Sequence, residues 1–337
     1  MTILSSELLL YKSAIVGSGG NNGGVMGTTL VANGVKNNIF PDVDQARRIS
    51  GVVTFRKLFL KVANASNGIF ANPKLYLDLS ATLGGDRVLM FAGTQTNTQS
   101  DLTGSERLYG AGTLDVDVSP GGTSLRVNVQ SAGDRIFRGG DTIRITDGSN
   151  SDYLTLAATD GVSWDGTLAT LTLASGGGIP NSYAASLTRV ASVLTPSDVE
   201  GVFDSWSGSS SAGTYGGNAP TITPINVVPI LDWIGTIEQT WTFTFTSATT
   251  FVCVGDTVGS VGGGSSTANF APSNADFSRP YLTLPASGWG GTWALGDTLT
   301  FKTHPAAVPV WLKRIVPPGA TGLSGDRITL GWYGETS

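Results

Sequence analysis

The chain has 337 residues, of which only 13% are charged, and a formal net charge of −5. That length supports two or three domains with a buried core in each, and the acid excess excludes the concentrated Lys/Arg face of a nucleic-acid binder. No apolar run approaches the roughly 20 residues of a membrane-spanning helix, and a single cysteine, Cys253, excludes an intrachain disulfide framework and a multi-cysteine metal site.

The first twenty residues lack a basic n-region, and Glu7 and Lys12 break their apolar run, so they make a poor secretory signal and synthesis in the cytoplasm is expected. Leu8–Val16 reads as a short apolar strand, followed by a Gly/Ser/Asn tract ending at Gly24. A dinucleotide-binding turn is excluded there, because the third glycine of GxGxxG would fall at Asn22 and no helical pattern follows. Residues 1–38 therefore read as an extended N-terminal arm on a flexible tether, able to reach a neighbouring subunit, with an intrachain edge hairpin as the alternative. Neighbours are expected to order the glycine-rich tract.

Residues 39–112 read as a β-domain. Pro41–Arg48 predicts one short helix, with early acids and late bases. Gly51–Leu79 predicts a core hairpin: period-2 alternation on both sides of an Asn/Gly-rich loop closed by Pro73, with Leu75, Leu77 and Leu79 on one face and Lys74, Tyr76 and Asp78 opposite. Asp86–Ala92 adds a strand, and Gly93–Gly112 is a polar connection.

Residues 113–191 carry five short strands with Gly, Pro and Asp punctuation every eight to twelve residues, predicting an inserted small β-barrel. In residues 192–220, Thr195-Pro196-Ser197-Asp198 reads as a helix start, and Val199, Val202, Phe203 and Trp206 fit an i, i+3, i+4, i+7 stripe before a Ser/Gly linker. Residues 221–337 return to strands, including Trp241–Thr246, Val308–Val316 and Asp326–Tyr333, and predict a C-terminal β-sandwich. The fold class expected is all-β: two or three antiparallel sandwich or barrel domains, one or two short helices and extended arms.

Chemistry is sparse. His304 is the sole histidine, so a Ser-His-Asp or Cys-His catalyst would have to use it, and no GxSxG elbow is present. Cys253 lies in Phe251-Val252-Cys253-Val254 and reads as a buried strand thiol. Asp115 and Asp117, two apart on a strand, are the nearest approach to a glycosidase carboxylate pair, and a solvated edge accounts for them. Asp147-Gly-Ser-Asn150-Ser-Asp152 gathers oxygen ligands as a calcium loop does, but reads more simply as an Asx-rich turn. Trp241, Trp311 and Trp332 fall within strands as core, whereas Trp289 and Trp293 in GWGGTW are the tryptophans available to stack on a sugar. No catalytic, cofactor-binding or metal-ligating residue is assigned.

Two runs carry a resemblance. Asn37-Asn-Ile-Phe-Pro-Asp-Val43 leads through Gln45–Arg48 to Phe55-Arg56-Lys57 and Phe59-x-Lys61-Val62-Ala63-Asn64, and the second run is Gly93–Gly110. Together they resemble virion structural proteins encoded among the tail genes of tailed bacteriophages, Mu-like and other contractile-tailed phages among them, of the ripcord type that ties baseplate to tail. The resemblance implies a non-enzymatic joint in the tail or baseplate, made in the host cytoplasm. Its expected partners are tail-tube, baseplate hub or wedge proteins and copies of itself, with neither nucleic acid nor membrane. The alternative is a carbohydrate-binding receptor module of the same virion. Strand addition to an exposed sheet edge is the expected mode of contact.

Overall fold

A computed structural model describes residues 2–79, 85–210, 212–216, 228–322 and 327–336. The molecule is all-β, and its chain leaves a central sandwich twice and returns to it each time.

The central sandwich begins with β1 (Leu8–Ile15) and β2 (Gly23–Leu30), followed by the one α-helix among the described residues, α1 (Gln45–Ser50). That helix starts later than the composition predicts, because Asp44 caps it by accepting the Arg47 amide at 2.8 Å. Then come β3 (Val52–Val62), β4 (Phe70–Leu79) and β5 (Arg87–Ala92).

The chain next forms β6 (Ala111–Leu114), β7 (Ser124–Asn128), β8 (Thr142–Thr146), β9 (Ser151–Thr155), β10 (Val162–Asp165), β11 (Leu168–Thr172) and β12 (Arg189–Ser192). These make one antiparallel sheet in the order β10-β11-β7-β6-β12-β8-β9, coiled around its own core of Val127, Ile143, Ile145, Ala169, Leu171 and Val190. Its two sides meet at the isolated bridge Leu156–Leu173. The expected small barrel is therefore not closed: one bridge, rather than a ladder, spans the gap. This unit is fastened to the sandwich by the two-pronged pair Arg87–Asp134 (2.6 and 3.0 Å), by Arg144–Asp78, and by the rings of Tyr76 and Tyr153. The chain then runs back along β4, bridging Leu75 to Leu194 and Phe70 to Val199.

The second excursion comprises β13 (Val202–Ser209), β14 (Ala212–Tyr215), β15 (Gln239–Phe245), β16 (Thr250–Gly255), β17 (Gly259–Ser265), β18 (Ser273–Asn274), β19 (Arg279–Pro280), β20 (Trp289–Thr292) and β21 (Thr298–His304). Its main sheet has the order β13-β21-β15-β16-β17 and packs Trp241, Phe243, Phe245, Phe251 and Phe301 inward, with β14 and β20 pairing separately. The helix expected from Thr195 is absent. Residues 202–209 are strand β13, in which Val202 is exposed while Phe203 meets Phe301 edge to face. Apolar positions in so short a window satisfy both periods, and β-branched or aromatic residues beside Gly201 and Gly208 favour extension. The expected Ser/Gly linker is mostly strand, in β13 and β14, while the side chain of Trp206, residues 211 and 217–220, and Asp326 lie outside the described residues.

The last strands, β22 (Ala307–Val316) and β23 (Thr329–Thr336), close the first sandwich. β22 enters its main sheet, β2-β1-β3-β22-β5, and β23 pairs with β4 as the opposing layer. Leu58, Leu60, Val62, Val310 and Leu312 from one layer and Leu75 and Leu77 from the other fill the space between. Three expectations fail here. β3 and β4 do not form a hairpin: six successive residues from Lys57 to Val62 are buried, so β3 is central and takes β1 and β22 as neighbours, while the 63–69 loop arches to the other layer. Leu8–Ile15 is no arm, because it pairs with β3 from Leu8–Val62 to Lys12–Leu58. Residues 221–337 are not one sandwich, because β22 and β23 complete the N-terminal one and do not pair with each other.

Candidate functional site

The glycine-rich tract is organised by the chain itself. Asn22 is fully buried; its Nδ2 donates to the Phe55 carbonyl (3.1 Å) and to Gln99 Oε1 (3.0 Å), while Gly17 N donates to its Oδ1 (3.2 Å). Gly23, at φ +107°, lies against the Trp311 ring, which a Cβ would meet at 2.7 Å. The tract therefore needs no neighbouring subunit to order it.

The face of β3 that meets this tract carries two buried lysines, which the alternation pattern places as interruptions in an apolar face. Lys57 Nζ donates to the carbonyls of Gly24 (2.6 Å) and Asn97 (2.9 Å). Lys61 Nζ donates to the Ile234 carbonyl and lies 4.0 Å from the Phe277 ring centre. Burial pushes their pKa values down, to about 7 for Lys57 and about 8 for Lys61, with acidic groups pulling weakly the other way. Each Nζ thus clips a remote segment to the central sheet. Lys57 holds the β1–β2 turn and the 93–98 loop, and Lys61 holds the second excursion. Strand spacing alone carries no signal of this, since burial on both faces of β3 depends on what the later chain lays over it.

His304 sits at the junction of β13, β15 and β21. Its Nδ1 is 2.7 Å from Glu238 Oε2 and its Nε2 is 3.3 Å from Asp204 Oδ2, while Lys302 Nζ is 2.7 Å from Glu238 Oε1. The hydrogen bond to Glu238, with the charges of Glu238 and Asp204, raises the imidazole pKa. An imidazole held between two carboxylates stays charged to higher pH than a free histidine and suits an ion-paired strut.

The other sequence candidates take structural roles. Cys253 is buried in β16, where burial pushes its thiol up to about 12, far from a reactive thiolate. Asp115 pairs with Arg126 at 3.0 Å and accepts from Asn128, and Asp117 accepts the Ala185 amide. Asp147 accepts the amides of Ser149 and Asn150 as an Asx turn closing the β8–β9 hairpin, and Asp152 accepts from Asn181 and Tyr183. Trp293 is buried in the core and stacks on Phe245 with centroids 4.2 Å apart, and Trp289, partly buried, packs edge to face on both rings at the border of that core.

What remains accessible is sheet edge. β17 closes the second main sheet and pairs only with β16 among the described residues. Its sequence, GSVGGGS, contains no charge and no proline, the residues that commonly blunt an edge. A bulge at Val261 separates its halves, since Cys253 faces Gly262 and Val254 faces Ser260. Beside it, β16 turns Val252 and Val254 outward, 40% and 42% exposed, and β15 and β21 continue that face with Thr242, Thr244, Thr298 and Thr300. The β17 edge can accept an extended strand through main-chain hydrogen bonds, with that face lying beside the added strand.

Compared with known protein families, curated proteins and solved structures, the chain matches none. No helix among the described residues is long and apolar enough to cross a membrane.

Proposed function

We propose that this chain is a non-enzymatic structural component of a tailed-phage virion that joins neighbouring subunits in the tail or baseplate. The observation that carries the joining role is the uncharged β17 edge beside the outward Val252 and Val254. An edge of that composition pairs readily with another strand, and the valines offer apolar area to bury beside it. The sparse charge of the whole chain fits surfaces that meet other proteins closely. The phage setting rests on the likeness of the 37–64 and 93–110 runs to tail-gene virion proteins.

Two measurements test this reading. Immunolabelled electron micrographs of particles from cells carrying the gene should show label on tails. Sedimentation of the purified chain should show association that Val252→Asp combined with Val254→Asp abolishes without unfolding it. Unlabelled particles together with a chain that stays monomeric at every concentration would overturn the proposal.

A further inference from the structure

On the side of the central sheet opposite the lysine-bearing face, two arginines are buried with no carboxylate partner among the described residues. Arg56 in β3 lies opposite Leu312, and Arg314 in β22 lies opposite Thr54, so the two are diagonal neighbours on one face of an antiparallel pair. They are 7% and 8% exposed. The ion pairs formed among the described residues include neither of them.

Among the described residues, each guanidinium bonds through Nη1 alone. Arg56 donates to the carbonyls of Gly17 (2.6 Å) and Phe55 (2.7 Å), and Arg314 donates to the carbonyl of Pro41 (2.8 Å). The Nε of each is buried with no acceptor among the described residues. Both approach the same ring, with Cζ of Arg56 5.9 Å and Cζ of Arg314 4.8 Å from the centre of Phe40. The surrounding charges are mixed: Asp86 and Asp42 lie within electrostatic reach of Arg314, and Arg56 and Arg47 oppose them. Asp42 is itself engaged with Lys36 at 3.4 Å.

We propose that Arg56 and Arg314 form a binding site for one small oxyanion, phosphate or carboxylate, beside Phe40. Two forked donors on a rigid sheet, each with an unused N–H, suit an acceptor with several oxygens, and a buried cation is retained at lower cost when an anion meets it. Backbone carbonyls supply partial charge, but they leave both Nε groups unsatisfied, and hydrogen-bonded partners are the rule for such groups. The adjoining 317–322 turn is held to α1 by the bond from Gly319 N to the Arg48 carbonyl, and Arg47 on that helix adds to the positive field at Arg314. The site is independent of the subunit-joining reading, since it uses neither β16 nor β17.

Calorimetric titration of the full chain with phosphate and, separately, acetate, at constant ionic strength against a chloride control, tests it. One saturable site is expected for at least one of the two anions, and comparison of the two distinguishes a tetrahedral from a planar ligand. Arg314→Lys and Arg56→Lys keep the charge but lose the fork, and each should weaken binding at least about tenfold. Heats indistinguishable from chloride, or unchanged affinity in both variants, would overturn the site. On the wild-type chain, the bound anion should also slow phenylglyoxal labelling of Arg56 and Arg314 relative to Arg126, which is half exposed beside Asp115. Equal labelling with and without anion refutes the proposal whether or not the variants fold.

Discussion

The ammonium of Lys61 donates to the carbonyl oxygen of Ile234 at 2.5 Å, across 173 positions of sequence. A strand early in the chain thereby holds the second excursion against the central sandwich. Such a contact is sensitive to protonation, because the lysine that makes it is fully buried.

Stability should rise with pH across the lysine window. Lys57 and Lys61 have folded pKa values of about 7 and about 8, below the ordinary 10.5. Between those folded values and the ordinary one, the unfolded chain binds more protons than the native one. Folding is therefore favoured as pH climbs from about 7 towards 10, each lysine contributing up to about 1.4 kcal/mol per pH unit. Urea midpoints at successive pH values should climb in the wild type and flatten in Lys57→Met and Lys61→Met. Parallel profiles would show that burial does not perturb these lysines.

The His304 strut works in the opposite direction. Its folded pKa is raised above 6.5 by Glu238 and Asp204, so its contribution is fully present below 6.5 and is lost as pH rises through the folded value. His304→Gln should destabilise the chain at pH 5.5 and have a smaller effect at pH 9. An equal loss at both would assign the histidine to packing rather than charge.

Within the sandwich, Leu77 is fully buried between the layers, so Leu77→Ala should cost about 2–5 kcal/mol. Lys74, on the opposite face of β4, rests its ammonium near the rings of Tyr153 and Tyr333 at 5.5 and 5.3 Å. Lys74→Ala should cost about 0.5–1 kcal/mol. Comparable losses in chemical denaturation would contradict the facing of β4.

Deletion of residues 1–24 should unfold the protein. β1 lies between β2 and β3, and Leu8 and Leu10 pack on the sandwich core. Removing it strips β3 of one neighbour and exposes apolar area worth several kcal/mol at about 25 cal/mol per Å². A truncated chain with an unchanged melting temperature would show that β1 is dispensable and return it to the role of an arm.

Local pattern alone determined a good deal. Alternation marked most strands, as in Trp241–Thr246, whose Trp241, Phe243 and Phe245 are all fully buried, and turn residues separated the short strands of residues 113–191. Composition also placed Cys253 inside a strand, where it lies. Pairing was decided only by the tertiary structure. β3 and β4 are close in sequence and each is alternating, yet β22, more than 200 residues later, takes the place beside β3. Period-2 spacing tells which residues share a face; it carries no information about which strand supplies the next hydrogen bonds or what covers that face. For the same reason Lys57, Lys61, Arg56 and Arg314 read as polar interruptions until the turn at Gly24, the segment at Ile234 and the ring of Phe40 are laid against them.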